Sequence, residues 1–214
     1  MKKHFILICT LICAALSFTS CNGLLTALNR TKYIGTKSPD EGYEAGDILF
    51  SDGSSVPYDE FIETLKGGTP NRYNGNYYAA QLQTMYFVFY TDKSSTKVLT
   101  VYGSSGEIWE SASSSYSSTS VQITENYTIY CPSIDELTYV YKQKDNINAV
   151  IEAGNKYLNT ANITEETLSG TYWSATEDSA DSTKAKALSF DDGSEISDSK
   201  TESHKTLYIF EMKN

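Results

Sequence analysis

The sequence predicts an α+β domain: a mainly antiparallel sheet with a few short helices. Three observations point there. Short apolar and aromatic runs at 48–50, 85–90, 171–176 and 185–190 are separated by turns rich in Gly, Asp and Ser. Two amphipathic helical segments lie in series between Cys131 and Gly154 and need a sheet to lie against. Most strands are joined by turns, and no repeat of solenoid period is apparent.

Residues 22–45 show little periodicity. Leu24, Leu25 and Leu28 suit one helical turn, and Gly35, Pro39 and Gly42 interrupt anything longer. Residues 21–45 therefore read as a flexible tether, and 46–214 as the domain. Ile48, Leu49 and Phe50 form a short strand, followed by a tight turn centred on Asp52-Gly53. Pro57 opens a helix, because its missing N–H would be unpaired in a first turn, and Asp59 and Glu60 oppose the helix dipole. Tyr58, Phe61, Ile62 and Leu65 share one face, and Gly67-Gly68 supply the positive-φ freedom of a helix end.

Residues 71–78 form a loop by composition. The 85–90 run is apolar or aromatic almost throughout, the pattern of a strand buried on both faces. A turn at 92–95 leads to a strand at 97–102, and Gly103 to Gly106 turn the chain before Glu107-Ile108-Trp109-Glu110. Residues 111–120 are Ser-rich, with only Tyr116 to pack. Such a composition buries too little to offset its ordering entropy and reads as a mobile loop. Residues 121–130 return to an extended pattern.

Ser133 and Glu136 then form an S-x-x-E capping box. Ile134, Leu137, Val140 and Tyr141 make one apolar face. Lys144-Asp145-Asn146 breaks it, with Asp145 placed to cap a second helix in which Ile147, Val150 and Ile151 face inward and which Gly154 closes. Thr171-Tyr172-Trp173-Ser174-Ala175-Thr176 is β-rich, 177–184 a polar loop, 185–190 a strand, 191–194 a turn and 205–212 the last strand. In that strand Leu207 and Ile209 alternate with Tyr208 and Phe210, so both faces meet apolar partners. The similar strings Phe50-Ser51-Asp52-Gly53-Ser54 and Phe190-Asp191-Asp192-Gly193-Ser194 read as two hairpin turns.

The N-terminus sets the location. Lys2 and Lys3 precede an apolar run at 5–16, the length of a signal core and short of the roughly 20 residues that span a bilayer. Small residues before Cys21 resemble the lipobox of bacterial lipoproteins, with Phe18 where Leu is usual, as in the relaxed boxes of spirochaetes and some other diderm bacteria. Residues 1–20 are thus expected to be a lipoprotein signal peptide. Cys21 is the expected lipidation site, holding the protein to the cell envelope at the outer membrane. Cys9 and Cys13 leave with the signal, so Cys131 alone remains as a thiol and the domain relies on its core. Removing 20 of 214 residues leaves 194, enough for one sizeable core. Net charge moves from −10 to −12 on loss of Lys2 and Lys3. That balance argues against nucleic acid, against broad attachment to anionic lipid and against a basic groove for sulfated polysaccharide. A local patch at Lys93 and Lys97 stays open.

Several strings together carry a family resemblance. They are Cys131-Pro132-Ser133-Ile134-Asp135-Glu136-Leu137 with Tyr141 and Lys144-Asp145-Asn146-Ile147-Asn148, then Tyr172-Trp173-Ser174-Ala175-Thr176-Glu177, then Phe190-Asp191-Asp192-Gly193. They resemble the DUF1566 family, also called the Lcl C-terminal domain family, common in bacterial surface lipoproteins. The opening Gly46-Asp47-Ile48-Leu49-Phe50-Ser51-Asp52-Gly53 is similar to that of spirochaetal members. The resemblance covers roughly 46–212 and is loose between Gly68 and Thr128. It implies a C-type-lectin-like fold, similar to that of the formylglycine-generating enzyme, and binding rather than catalysis, some members being adhesins for host glycans. Two departures stand out. Cys131 replaces the usual apolar residue, and Thr206-Leu207-Tyr208-Ile209-Phe210 replaces an arginine-rich last strand. The second removes the arginines that would bind anionic glycans there.

Catalytic motifs are missing from the sequence. His204 is the one imidazole left after cleavage and, on a strand edge, is expected to be solvated. There is no G-x-S-x-G, H-E-x-x-H or P-loop, and a single cysteine does not supply the pair used by the formylglycine-generating relatives. Cys131 is expected to pack as a small apolar residue. A carboxylate-based hydrolase would need two acids about 5–10 Å apart in a cleft, and no spacing singles out a pair. The acids from Asp191 to Glu195 have calcium-like density and read better as a turn; no metal or cofactor is expected. Seventeen Tyr is a high count, and Tyr with Asn and Gly on loops is a common carbohydrate- or protein-contacting mix. Asn71, Tyr73, Asn74, Asn76 and Tyr77 are therefore the ligand-binding candidates, weighed against packing of Tyr73, Tyr77 and Tyr78 over the sheet. Trp173 is expected in the core. The functional expectation is a non-catalytic, membrane-anchored surface lipoprotein with an adhesin-type domain for a glycan or host protein. The alternative is a structural or antigenic envelope lipoprotein without a small ligand, and a carboxylate-based hydrolase comes third.

Overall fold

The structure, a computed structural model, describes residues 33–67, 85–100, 106–114, 127–158 and 166–214. Cys21, the signal segment, the 71–78 loop with its five ligand candidates, and residues 115–120 lie outside the described residues.

The main sheet has six antiparallel strands: β1 (Ile48–Phe50), β2 (Ser55–Val56), β3 (Met85–Thr91), β4 (Ser95–Thr100), β6 (Tyr127–Tyr130) and β11 (Ile209–Lys213), in the order β2-β1-β3-β4-β11-β6. The last strand thus lies inside the sheet. Period-2 alternation divides its side chains between two apolar clusters. Ile48, Phe50, Phe87, Phe89, Leu99 and Ile209 face the larger core, whereas Leu49, Tyr86, Val88, Val98, Phe210 and Met212 face a smaller one. Both faces of β3 are buried from Met85 to Phe89, as its composition predicts. The last strand starts at Ile209 rather than at 205, so Leu207 and Tyr208 precede it, while Ile209 and Phe210 are buried on opposite faces.

Three helices fill the larger core. They are α1 (Tyr58–Lys66), α3 (Ile134–Lys142) and α4 (Lys144–Tyr157), contributing Phe61, Ile62 and Leu65, then Ile134, Leu137 and Val140, then Ile147, Val150 and Ile151. The predicted capping box is present: Glu136 N–H donates to Ser133 Oγ at 3.3 Å, and Ser133 N–H to Glu136 Oε2 at 2.9 Å. Three predicted helix ends are corrected. Gly67 ends α1 with right-handed φ of −67° rather than a positive one, and its neighbour Gly68 lies outside the described residues. The α3–α4 break is the single residue Gln143, and Asp145 sits inside the first turn of α4 rather than capping it. Gly154 does not close α4. It is buried within the helix, which runs on to Tyr157 and places that ring against the core.

A second sheet joins β7 (Thr171–Glu177), β8 (Lys184–Ser189) and β9 (Glu195–Ser199), and a short ribbon pairs β5 (Glu107–Ile108) with β10 (Ser203–His204). Neither β9 nor β10 is evident from the sequence. Trp173 on β7 is fully buried among Ala112, Ala185 and Ala187, and its Nε1–H donates to the Glu107 carbonyl at 2.9 Å. The Ser-rich segment is corrected in part: Ser111 to Ser113 belong to α2 (Trp109–Ser113), whose Ala112 is fully buried against Trp173. Trp109 answers the Trp173 bond, donating to the Ser174 carbonyl at 2.8 Å. Cys131 is buried as expected, and burial pushes its thiol up to about 12.

The two Phe-to-Ser strings form matching hairpin turns. Asp52 accepts from Ser54 N–H at 3.0 Å, and Asp192 from Ser194 N–H at 3.0 Å. Gly53 and Gly193 take φ of 79° and 78°. The ordered fold also begins before Gly46. Lys37 bridges Ser55, and its Nζ lies 2.7 Å from Asp47, a buried carboxylate. A 3-10 turn at Pro39–Glu41 carries its own capping box. Residues 33–45, read as the end of a tether, are thus laid against the β1–β2 hairpin. The α+β class with antiparallel pairing throughout both larger sheets is what the sequence predicts.

Candidate functional site

Among the described residues, a cleft of varied chemistry forms where the core face of the main sheet turns polar. Its inner row is apolar: Phe87, Leu99 and Ile209 are cross-strand neighbours. One row further out the register sets Tyr90 against Lys97 and Lys97 against Glu211. Tyr90 reaches this row through a β-bulge. The register shifts between Val88 and Tyr90, so Phe89 and Tyr90 both contact the larger core instead of alternating across the sheet. The first turn of α3 brings Asp135 and Glu136 over the row, with Tyr139 one turn on, and the β3–β4 turn adds Asp92, Ser94 and Ser95. Together these residues line an open cleft of about 360 Å³.

The floor is held by charge. Lys97 Nζ lies 2.7 Å from Glu136 Oε1 and 3.8 Å from Glu211 Oε1. The Tyr130 hydroxyl donates to Glu136 Oε1 at 2.9 Å. Burial works against the charge on each group. For Glu136 the bonds from Lys97, Ser133 and Tyr130 outweigh it and hold the carboxyl below its usual range. For Lys97 the bonds and charge of Glu136 and Tyr130 outweigh it and lift the ammonium above its usual range. Tyr130, chiefly through burial, is pushed up to about 12. Asp92 is held well below the carboxylate range by Ser94 first, through hydroxyl and backbone, then by the Ser95 N–H and the Tyr90 hydroxyl. One wall is aromatic: Tyr90 and Tyr139 meet edge to face, 5.9 Å apart at 90°. Tyr139 is one of two exposed large hydrophobic residues among the described ones, 47% accessible.

Two of the four acids in the lining, Glu136 and Asp92, are held below their ordinary range, opposite to the shift that the proton-bearing acid of a two-carboxylate hydrolase needs. Among the described residues no group of three or more His, Cys, Asp or Glu side chains is arranged to hold a metal ion, and no helix is long and apolar enough to cross a membrane. His204 is not solvated as expected. Its Nε2 lies 3.0 Å from Asp198 Oδ2 and its ring packs on Trp173 at 4.5 Å, a structural brace between β10 and β7. Of the two lysines of the possible basic patch, Lys97 is committed inside the cleft, while Lys93 is exposed in the β3–β4 turn.

Sequence reasoning missed this cleft, having placed the ligand candidates at Asn71–Tyr77 in a loop outside the described residues. One signal was available. Tyr139 falls off the Ile134, Leu137, Val140 and Tyr141 stripe of α3, leaving a large ring on the polar side of an amphipathic helix. A second hollow of about 240 Å³ between α1 and α4, lined by Tyr58, Ile62, Lys66 and Lys156 among others, has no comparable set of oriented polar groups. Compared with known proteins, the chain matches no family model, and no curated protein matches it.

Proposed function

We propose that the chain is a lipid-anchored surface protein of a bacterial cell envelope, whose folded domain is a non-catalytic binding module for a glycan or a host protein. The cleft under α3 is its ligand site. The fold we assign is C-type-lectin-like, on the resemblance to the DUF1566 family in the α3–α4 and Tyr172-Trp173 strings. The anchor is lipid on Cys21 after loss of residues 1–20. The observation that carries the reading is the cleft itself. An edge-to-face Tyr90–Tyr139 wall stands beside the Lys97–Glu136 pair, whose partners fix both charges. A half-exposed ring beside oriented polar groups is the usual composition of a small-ligand or carbohydrate site. The ionised state of Glu136 and Asp92 supports binding over hydrolysis.

A glycan array and a panel of matrix proteins, probed with the full chain in non-ionic detergent, test the binding function. The expected result is retention of at least one ligand class above an unrelated acidic lipoprotein, reduced by Tyr139→Ala. A blank panel supports the rival, a structural or antigenic envelope lipoprotein. Labelled palmitate tests the anchor separately: it should enter the wild-type protein and not Cys21→Ala, and an unlabelled, membrane-free wild type refutes it.

A further inference from the structure

Resting on the reading of this cleft as the ligand site, we infer that its ligand is a glycan bearing a free, protonated amino group: an amino sugar rather than an acidic or fully neutral one. The lining holds four carboxylates, Asp92, Asp135, Glu136 and Glu211, against one ammonium, Lys97. That ammonium is directed inward, onto Glu136 at 2.7 Å and Glu211 at 3.8 Å, with the Tyr90 and Tyr130 rings at 5.9 and 5.8 Å. An anionic ligand therefore meets no uncommitted cation in the lining. Lys93 lies outside the lining, in the turn, and Lys142 stands over Tyr139 at 5.5 Å without lining the cleft. Asp135 is exposed and makes no ion pair among the described residues, its charge reaching the Lys186 ammonium through space. It faces the cleft from α3, while Asp92 faces it from the β3–β4 turn and is kept anionic by the Ser94, Ser95 and Tyr90 donors.

The remaining surface suits a sugar ring. Acceptors stand on three elements, the turn, α3 and β11, and the Tyr90 hydroxyl and Ser94 add further polar atoms. A polyhydroxylated ring uses such dispersed partners, whereas a lysine side chain uses only its tip. The Tyr90 and Tyr139 rings offer π surface both to C–H faces and to an ammonium. The volume of about 360 Å³ lies within the range of small-ligand sites.

The test is calorimetric titration of the full chain in non-ionic detergent with oligosaccharides of equal length: a deacetylated β-1,4-linked glucosamine oligomer, its N-acetylated counterpart and a hyaluronate oligomer. A lysine-bearing peptide forms a fourth arm. The amine oligomer should bind about tenfold more tightly than the N-acetylated one, and hyaluronate should not bind. Amine binding should weaken as salt rises and as the probe loses its proton at higher pH. Asp135→Asn should cost about threefold and Tyr139→Ala about tenfold, each with unchanged thermal unfolding, while Glu202→Gln, at an exposed acid away from the cleft, should cost nothing. Equal or tighter binding of the N-acetylated oligomer overturns the inference and leaves the binding function standing. Equal losses in Asp135→Asn and Glu202→Gln overturn it by revealing diffuse charge attraction. Peptide binding as tight as the amino sugar's and equally sensitive to Asp135→Asn overturns the glycan assignment. Failure of all four probes overturns the inference, and a blank array beside it removes the binding function too.

Discussion

Lys97 on β4 and Glu136 in the capping box of α3 are joined at 2.7 Å, so one carboxylate both starts a helix and fastens it to the sheet. Both side chains are 21% exposed. Glu136→Ala removes the cap's second half, the ion pair and the acceptor of the Tyr130 hydroxyl together. It should lower stability by roughly 2 kcal/mol, more than an exposed pair and less than a fully buried one. Urea unfolding at neutral pH measures this as a shift in midpoint with unchanged slope. A midpoint equal to wild type would show that the pair contributes nothing.

The same two residues set opposite pH limbs. Glu136 lies below its ordinary value of 4.5, so its contribution is present above about that pH and is lost as pH falls through the folded-state value. Lys97 lies above its ordinary value of 10.5, so its contribution is complete below that pH and is lost as pH rises through the folded-state value. Unfolding midpoints against pH should form a plateau with two falling sides. Glu136→Gln should make the acid side shallower, Asp92 and other carboxylates supplying the rest. An unchanged acid side in that variant contradicts the assignment.

The matching hairpins make a paired test. A Cβ on Gly193 would lie 2.5 Å from the Tyr141 ring, whereas one on Gly53 first meets the Pro39 ring at 3.3 Å. Both sites have positive φ, which costs an L residue roughly 1–2 kcal/mol. Gly53→Ala should show about that cost, and Gly193→Ala about 1 kcal/mol more unless Tyr141 yields. Thermal unfolding compares them directly, and equal costs would mean that Tyr141 moves aside freely.

Asp47 tests where the folded domain begins. Its Oδ2 accepts from Lys37 Nζ at 2.7 Å and from the Glu44 N–H at 3.0 Å, and the group is almost wholly buried. Asp47→Ala leaves the Lys37 ammonium only the exposed Glu44 carboxylate, 3.9 Å away, and should cost about 2 kcal/mol. It should also open residues 33–45 to limited proteolysis, which the wild-type fold should resist. Rapid cleavage there in the wild type would restore the tether boundary at Gly46.

What the sequence disclosed depended on how local the cause was. The start of α3 was readable because Ser133 and Glu136 act within one turn. The turns at Gly53 and Gly193 were readable because Asp-Gly-Ser specifies them. Helix α2 was hidden because Trp-Glu-Ser-Ala-Ser has no periodicity, and its packing comes from Ala112 against a tryptophan far along the chain. Strand β9 was hidden because Glu-Ile-Ser-Asp-Ser is polar, fitting a sheet edge rather than a core strand. The cleft was least legible. Tyr90, Lys97 and Glu211 meet only through strand register, and the bulge at Phe89 reverses the side that alternation would give Tyr90.

Hydrogen-exchange mass spectrometry of the full chain, with and without the tightest ligand from the array, tests the central proposal that this cleft is the binding site. The account predicts slowed exchange in the peptides spanning 90–97 and 133–139, and loss of that protection in Tyr139→Ala. Protection confined to 71–78, with 90–97 and 133–139 unchanged, would contradict it and return the site to the Asn71–Tyr77 loop.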